Sequence, residues 1–273
     1  MKETLDWLSK EVVNVYDEVN LWTAPFGRLL LENIPMKAES KILDIGFGTG
    51  FPLIELSQRF GESSEIFGMD IWKEGIIRTK EKIRVLGLKN IEIFEQSAES
   101  IPLPDNELDM ICSNLGINNF ENKDTVYIEC HRVLKKNGSL CISTNPVGTF
   151  RELFFFFKKS LEEMRLDWSV EKLKEHVEHR GTESSVIEDL TIKGFRLSKK
   201  VNDNTNIRFA DPKALFDHAL IRMGFLDDWK KFIPEDRLQE FFSLLSGKIQ
   251  EYIYRKGEFV ITIPVLYLEF NKL

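Results

Sequence analysis

The chain has 273 residues, which fits one large α/β domain or one such domain with a sub-domain. Its 42% hydrophobic and 30% charged residues are typical of a globular protein, and 37 Lys and Arg against 44 Asp and Glu leave a net charge of −7. An acidic chain lacks the electrostatic footprint that holds phosphate backbones, so the composition disfavours a nucleic-acid partner.

The cysteines and histidines predict neither a disulfide nor a metal site. Because the three cysteines cannot all pair and each lies among apolar residues, we expect buried, reduced thiols in a cytoplasmic protein. These residues are Cys112, Cys130 and Cys141. His176 and His179 have no third ligand near them in the sequence, so no metal is predicted. The first ten residues do not read as a signal peptide, and no apolar stretch approaches the roughly 20 residues that span a bilayer.

The first half of the chain alternates strands with helices. Apolar helical patterns follow the first two strands and end at Gly61 and Gly87, and a third pattern covers Val126–Leu134. The pair Asn137-Gly138 predicts a turn into the fifth strand. Regular alternation of this kind indicates a parallel sheet covered on both faces. The five predicted strands are Lys41–Ile45, Glu65–Asp70, Asn90–Phe94, Leu108–Cys112 and Leu140–Ser143.

The pattern changes after Asn145. Helices are predicted at Phe150–Trp168, Val170–Arg180, Ser184–Lys193 and within Pro212–Arg255, where Asp211 is the expected cap. Two closing strands are predicted at Phe195–Val201 and Phe259–Phe270. The predicted fold is therefore α/β: a doubly wound, mostly parallel, seven-stranded Rossmann-like sheet with helical additions. Residues 1–36 are expected to form N-terminal lid helices, residues 37–150 the core, and residues 151–273 the C-terminal helices and closing strands of the same domain.

The sharpest motif is a glycine-rich turn after the first strand, Asp44-x-Gly46-x-Gly48-x-Gly50. Glycine permits positive φ and lets a ligand lie against the backbone. A dinucleotide fingerprint would need a glycine at Phe51, and a phosphate loop would need Gly-Lys-Ser or Gly-Lys-Thr at the helix start. Neither requirement is met, so both of these ligand classes are disfavoured.

Two acidic residues narrow the expected ligand. Asp44 precedes the first glycine by two residues, where a carboxylate repels pyrophosphate and attracts an ammonium group. Asp70 ends the second strand, which is where a ribose diol is commonly accepted in sheets of this type; capping of the following helix is the alternative role. Together they predict a nucleoside that carries a positively charged tail.

On these motifs the chain, over roughly residues 10–150, resembles the class I S-adenosylmethionine-dependent methyltransferases, and among them the small-molecule enzymes of the ubiquinone/menaquinone-biosynthesis type. The resemblance implies that S-adenosylmethionine is the cofactor. It implies that Asp44, Gly46, Gly48 and Gly50 hold the methionine moiety and that Asp70 holds the ribose. Ser97 stands where the family usually has an aspartate that reads adenine. The remaining cofactor residues that the resemblance implies are Ile71, Trp72, Ser97, Ala98, Asn114, Leu115 and the lid residue Tyr16.

Four residues are candidates for contact with the methyl acceptor: Trp22, Asn118, Asn119 and Asn145. The alternative roles are packing for the ring of Trp22, and loop turns or caps for the asparagines.

No general base is predicted. His131 is expected on the exposed face of its helix, and methyl transfer depends chiefly on positioning and exclusion of water. For the run Leu153–Phe157 we favour packing on the sheet, with a cover over an apolar substrate or a homodimer patch as alternatives.

The predicted function is therefore an S-adenosylmethionine-dependent methyltransferase acting on a small molecule. A non-catalytic S-adenosylmethionine-binding or regulatory protein is the first alternative, because cofactor and acceptor sites are separable. A nicotinamide-dependent oxidoreductase is the second, and Phe51 together with Asp44 speaks against it.

Overall fold

The computed structural model describes residues 9–18, 22–178 and 180–273. Within these residues seven strands form one sheet in the order β3-β2-β1-β4-β5-β7-β6. The pairs among β1 to β5 are parallel, and β7 is antiparallel to β5. The strands are β1 Lys41–Ile45, β2 Glu65–Asp70, β3 Ile91–Glu95, β4 Leu108–Asn114, β5 Leu134–Thr144, β6 Phe195–Phe209 and β7 Phe259–Lys272. This order confirms the predicted doubly wound, mostly parallel sheet.

The helices that connect the strands begin and end where the sequence provides caps. Gly61 and Gly87 terminate α3 and α4 as predicted, and the side chain of Asp211 caps α9 by accepting the N–H of Ala214 at 2.7 Å. In the described residues the helices are α1 Lys10–Glu18, α2 Thr23–Asn33, α3 Leu53–Phe60, α4 Lys73–Leu86, α5 Lys123–Val133, α6 Arg151–Glu163, α7 Asp167–Glu178, α8 Glu183–Ile192, α9 Pro212–Asp217, α10 Ala219–Gly224, α11 Leu226–Lys230 and α12 Leu238–Lys256. No helix in these described ranges is long and apolar enough to cross a membrane.

The described residues divide into two compact units by their contacts. The sheet unit comprises residues 9–18, 22–144, 182–203 and 265–273, and the aromatic unit comprises residues 145–178, 180–181 and 204–264. The sheet unit has a continuous apolar core between its strands and helices, in which Leu43, Ile111 and Leu268 are fully buried. Each such side chain contributes about 1.5–3 kcal/mol by burial. The prediction that residues 151–273 complete the same domain as residues 37–150 stays a prediction.

The aromatic unit has a core of interlocking rings. Phe157 lies 4.5 Å from Phe241 between ring centroids, and Phe150 contacts Phe225 and Trp229 at 4.8 and 5.6 Å in edge-to-face geometry. Edge-to-face contacts suit the charge distribution of aromatic rings. The Phe-rich run on α6 therefore contributes to the core of its own unit, although Phe155 within it is 54% exposed.

The structure corrects the predicted start of the fifth strand. It begins at Leu134, not Leu140, and Asn137 takes φ +63° inside it. The pairing with β4 shifts between Leu108 and Met110, so Asn137-Gly138 belongs to an irregular stretch within the strand and not to a turn before it.

Three further predictions are wrong in extent. The helix predicted to reach Trp168 ends at Glu163, because Arg165 takes the left-handed conformation and a new helix begins at Asp167. The strand predicted to end at Val201 continues to Phe209. The region Pro212–Arg255, predicted as two helices with the second starting at Pro234, contains the four helices α9 to α12, of which the last begins at Leu238.

His131 is also not on an exposed face. Its ring packs edge-to-face on Phe195 with 5.3 Å between centroids, and it is half-buried. Burial, aided by the charge of Lys272, lowers the pKa of this imidazole. The three cysteines are buried and free, as predicted.

Candidate functional site

A cavity of about 510 Å³ opens at the carboxyl ends of β1, β2 and β4 in the sheet unit. Its volume is within the range of roughly 300–1,000 Å³ typical of small-molecule sites. The strand order reverses here, since β1 lies between β2 and β4, and open α/β sheets bind ligands at such positions. The predicted residues that line it are Tyr16, Trp22, Gly46, Gly48, Asp70, Ile71, Trp72, Ser97, Ala98, Asn114, Leu115 and Asn119.

The glycine turn forms one wall of the cavity. Gly48 has φ +55°, and a Cβ added there would meet no atom within 4 Å, so its missing side chain leaves open space. Gly50 is different, because a Cβ there would lie 2.9 Å from the side chain of Ile54 and the residue does not line the cavity. Gly46 and Gly48 thus both line the cavity, with open space at Gly48, whereas Gly50 is needed for packing.

Asp70 holds the turn from the end of β2. One carboxylate oxygen accepts the N–H of Gly48 at 2.7 Å, and the other accepts the N–H of Trp72 at 2.8 Å. The bond to Trp72 closes a local turn two residues long and is not a helix cap, since Trp72 itself is the N-cap residue of α4 and no described side chain caps this helix. A carboxylate has about four lone-pair sites, so two remain for a ligand's hydroxyl groups. The geometry is therefore compatible with the predicted ribose-accepting role, whereas the alternative role of Asp70 as the cap of the following helix is wrong.

Asp44 is fully buried on β1, and it lies behind the turn and not on the cavity wall. Neither of its carboxylate oxygens has a hydrogen bond of ordinary geometry among the described residues, although the backbone N–H of Leu53 acts to lower its pKa. Burial, and then the negative charge of Asp70, raise the pKa of Asp44 well above the ordinary value. An orphaned buried carboxylate of this kind fits a site whose ligand brings positive charge.

The charges around the cavity have the same sign. Three carboxylates line it, those of Asp70, Glu99 and Glu121, and no Lys, Arg or His appears among its described lining residues. A pyrophosphate or a phosphate ester placed here would be repelled. A ligand with net positive charge would be attracted.

The loop after β3 and the start of α4 supply a second wall. Ile71 is 73% exposed beside Trp72. Ala98 is buried in the middle of a small turn, in which the Ser97 hydroxyl accepts the N–H of Glu99 at 3.3 Å. The mixture of an aliphatic side chain, an aromatic ring and short polar groups suits a heteroaromatic base. This is the position that the resemblance assigns to adenine.

The end of β4 closes the cavity from a third side. The amide of Asn114 donates to the carbonyl of Thr23 at 3.3 Å and accepts the hydroxyl of Ser143 at 2.7 Å, so it fixes the loop to α2 and β5. Gly116 lines the cavity as well, and a Cβ there would lie 2.7 Å from the carbonyl oxygen of Ile45. Only glycine permits this close approach of the two strand ends.

The candidate acceptor residues separate into two pairs. Trp22 and Asn119 line the cavity, whereas Asn118 accepts the hydroxyl of Thr144 at 2.6 Å and does not. Asn145 belongs to the aromatic unit, where its amide donates to the hydroxyl of Thr149 at 3.3 Å. The structure thus leaves Trp22 and Asn119 as the acceptor candidates at this cavity.

Several lining residues were not singled out as site residues from the sequence. They include Thr49, Phe51 and Glu121. Phe51 directly follows Gly50 in the sequence, and this position next to the glycine turn could have predicted that it lines the cavity. Within the described ranges no three His, Cys, Asp or Glu side chains are grouped so as to hold a metal ion.

The strand order with its antiparallel β7, the glycine turn after β1 and the acid after β2 together define a Rossmann-like nucleoside-binding protein. A family model described as a methyltransferase domain matches residues 36–203, and the chain belongs to this family. The resemblance noted in the sequence is thereby confirmed, and the protein is an S-adenosylmethionine-dependent methyltransferase by family.

Individual relatives agree with the family. A demethylmenaquinone methyltransferase of Geobacillus sp. (strain WCH70) is 30% identical over 166 residues, which cover 57% of this chain and 70% of that protein. For further demethylmenaquinone methyltransferases, the chain spans about half of their length, 56% in a Geobacillus stearothermophilus protein.

Solved structures share the fold. A SAM-dependent methyltransferase from Aquifex aeolicus is 23% identical with a TM-score of 0.55, covering 71% of this chain and 92% of that one. A Haemonchus contortus phosphoethanolamine N-methyltransferase 2, solved in complex with S-adenosyl-L-methionine, is 17% identical with a TM-score of 0.58, covering 97% and 57%.

Proposed function

We propose that this chain binds S-adenosylmethionine in the cavity of the sheet unit and transfers its methyl group to a small, uncharged or cationic acceptor. The observation that carries the proposal is the combination of Gly48, whose backbone faces open space, with Asp70 beside it and a lining that holds three carboxylates and no described cation. This combination suits a nucleoside with a positively charged tail and disfavours a dinucleotide.

The residues of the cavity have distinct expected roles. Gly46 and Gly48 offer a wall without side chains to the methionine portion of the cofactor, and Asp70 accepts the ribose hydroxyls. Ile71 and Trp72 flank the adenine, beside the backbone of Ala98. The ionised form of Asp44 would be favoured by the net positive charge of the cofactor, which offsets part of the cost of its burial.

Methyl transfer requires chiefly that the protein position the acceptor and the cofactor. S-adenosylmethionine supplies a methyl group on a positively charged sulfur, which is already activated for displacement. The chain must hold the acceptor in line and keep water away, which Trp22 and Phe120 on the cavity wall support. No histidine lies among the described lining residues, so we propose that a proton released by the acceptor passes to the carboxylate of Glu99 or Glu121 on the cavity wall or to water.

The name of the first relative suggests which acceptor to test first. A demethylmenaquinol-type compound is uncharged and apolar, in agreement with the aromatic and acidic lining of the cavity. We therefore propose a neutral quinol as the leading acceptor class, ahead of carboxylates and phosphate esters, which the lining would repel.

The test is transfer of a labelled methyl group. Purified protein is incubated with methyl-labelled S-adenosylmethionine and, separately, a short-chain demethylmenaquinol, phosphoethanolamine and a hydroxybenzoate. We expect label in the quinol only, and none with the Gly48→Val variant. Transfer to the phosphate ester or the carboxylate in preference to the quinol would overturn the proposed acceptor class, and absence of transfer to any of them, or to compounds of a metabolite extract, would favour a non-catalytic binding role.

A further inference from the structure

Helix α1 carries two neighbouring side chains with different surroundings. Tyr16 lines the cavity and packs edge-to-face on Trp72, with 5.5 Å between ring centroids. Asp17 turns to α4, where its carboxylate accepts the Nε–H of Arg78 at 2.9 Å and the ammonium of Lys82. The position of Tyr16 over the cavity is therefore tied to an ion-pair network one residue away.

The same helix α4 also holds the glycine turn. Lys82 donates to the carbonyl of Thr49 at 2.8 Å, and the hydroxyl of Thr79 donates to the carbonyl of Gly48 at 3.1 Å. One ammonium group thus bonds both to α1, through Asp17, and to the turn that forms the cavity wall. The lid side chain and the cofactor wall share a single cation.

The ion pairs of Asp17 with Arg78 and Lys82 are partly shielded from solvent. The Asp17 side chain is only 9% exposed, with Arg78 and Lys82 about one-third exposed. Burial alone would raise the pKa of Asp17, but the hydrogen bonds from Lys82 and Arg78 outweigh it and hold the pKa below the ordinary value. Removing one partner of such a shielded group leaves cations without compensation, which destabilises far more than loss of an exposed pair.

We propose that Asp17 is a positioning residue that fastens α1 to α4, holds Tyr16 at the mouth of the cavity and thereby slows the escape of the bound nucleoside. The inference rests on the proposed function, because it takes the cavity to be the S-adenosylmethionine site. Asp17 itself does not line the cavity. Its effect passes through the placement of Tyr16 and of the turn residue Thr49.

The test is the rate at which radiolabelled S-adenosylhomocysteine leaves the protein, measured by rapid filtration after addition of excess unlabelled S-adenosylhomocysteine. Asp17→Asn keeps the size of the side chain and removes its charge. We expect its dissociation rate constant to rise by about tenfold with little change in the association rate constant. Asp17→Glu restores the charge and should restore most of the slow dissociation, which a loss of packing alone would not explain.

A matched control is Glu81→Gln. Glu81 is the other acid paired with Arg78, at 3.2 Å, but it is on α4 itself and does not reach α1. It should leave dissociation unchanged. If Asp17→Asn does not fold, Lys82→Met tests the same link from the other side, with the same expected rise.

The outcomes separate the two proposals. If wild-type protein binds S-adenosylhomocysteine and Asp17→Asn releases it at the wild-type rate, the positioning role is overturned and the proposed function stands. Acceleration by Glu81→Gln equal to that of Asp17→Asn would also overturn it. If wild-type protein binds no S-adenosylhomocysteine at all, the proposed function is overturned, and this inference with it.

Discussion

The two compact units of this chain use their aromatic and polar residues in opposite ways. In the sheet unit the strand ends leave a cavity lined by glycine backbone, carboxylates and single rings such as Trp72. In the aromatic unit the rings face one another, and Phe157 and Trp229 are fully buried. The comparison shows that aromatic content is no guide to a binding site by itself. What distinguishes the site is glycine backbone beside acidic side chains, with no cationic side chain among the described lining residues.

The largest expected effect is on stability, in the aromatic unit. Phe157→Ala removes a fully buried ring that packs on Phe241, so we expect the free energy of unfolding to fall by about 3–5 kcal/mol. The affinity of the folded variant for S-adenosylhomocysteine should stay within about twofold of wild type. Chemical denaturation and calorimetric titration measure the two quantities.

The neighbouring Phe155→Ala is the matched control. Phe155 is 54% exposed and lies beneath Lys159, so its removal should cost about 1 kcal/mol or less. Equal losses from the two substitutions would contradict the description of this unit as a packed core. A large loss of affinity in folded Phe157→Ala would contradict the separation of core and site.

The next effect is on binding, in the sheet unit. Gly48→Val places two methyl groups in the open space at the turn, in a residue with φ +55°, so S-adenosylhomocysteine binding should be lost, with affinity at least about 100-fold weaker. Thermal melting with and without S-adenosylhomocysteine checks this, since wild type should gain stability from the ligand by mass action and the variant should not.

Gly87→Val is its matched control. Gly87 has φ +67° and, like Gly48, open space around its Cβ position, but it ends α4 away from the cavity. Both variants therefore carry backbone strain of about 1–3 kcal/mol. Only Gly48→Val should lose the ligand-induced shift, and loss of the shift in Gly87→Val would mean that strain and not occlusion is responsible.

A smaller effect is expected at Asp70. In Asp70→Asn one of the two backbone N–H donors, of Gly48 or Trp72, faces an amide nitrogen that cannot accept, and a ribose hydroxyl loses a charged partner. We expect cofactor affinity to fall by roughly 10- to 100-fold in calorimetric titration.

Asn122→Ala is the matched control, because it removes a side-chain bond to a backbone N–H at a residue that does not line the cavity. The Asn122 side chain caps α5 by accepting the N–H of Thr125 at 3.1 Å, so the substitution should cost about 1 kcal/mol of stability and no affinity. If Asp70→Asn behaves in the same way, with stability reduced and affinity unchanged, Asp70 serves only to hold the backbone of Gly48 and Trp72.

The smallest effect is a difference in pH dependence between the buried Asp44 and the partly buried Asp109. The pKa of Asp44 is raised in the folded protein, so the folded state binds this proton more tightly than the unfolded state, and its penalty develops as pH rises above 3.8. Asp44→Asn should therefore be more stable than wild type without ligand at neutral pH, and the gain should shrink as pH falls toward 4.

Asp109 should behave in the opposite way. Burial opposes its ionisation, but the ammonium of Lys135 and the N–H of Lys41 prevail and lower its pKa. Its stabilisation is present above the unfolded pKa and is lost as pH falls toward the folded value, so Asp109→Asn should destabilise most at neutral pH. Denaturation midpoints measured from neutral pH down to below 3.8 check both, since the loss at Asp109 develops chiefly below that value, and the same sign for both variants would contradict the assigned environments.

Sequence reasoning was accurate where the signal is local. The bounds of β1 and β2, the glycine stops of α3 and α4 and the place of Asp70 at a strand end follow from residues close together in the chain. It failed where distant packing decides. Nothing near Asn145 or Asn118 indicates that one bonds to Thr149 and the other to Thr144, and the burial of Asp44 without a partner depends on the whole sheet around it.

The breaks of the aromatic unit were missed for a related reason. The pattern Phe150–Trp168 satisfies helical spacing throughout, yet Arg165 takes φ +55°, a conformation that no glycine or proline announces. The irregular stretch in β5 likewise depends on its register against β4. Periodicity predicts which faces are apolar, but not where a chain that remains amphipathic will turn.

The central claim is that the cavity of the sheet unit takes a positively charged nucleoside and not a dinucleotide. Calorimetric titration of the same preparation with S-adenosylmethionine, S-adenosylhomocysteine and NAD tests it directly. The account predicts one site per chain for the first two ligands, lost in Gly48→Val, and NAD binding at least about 100-fold weaker or absent. Binding of NAD as tight as that of S-adenosylmethionine would contradict it.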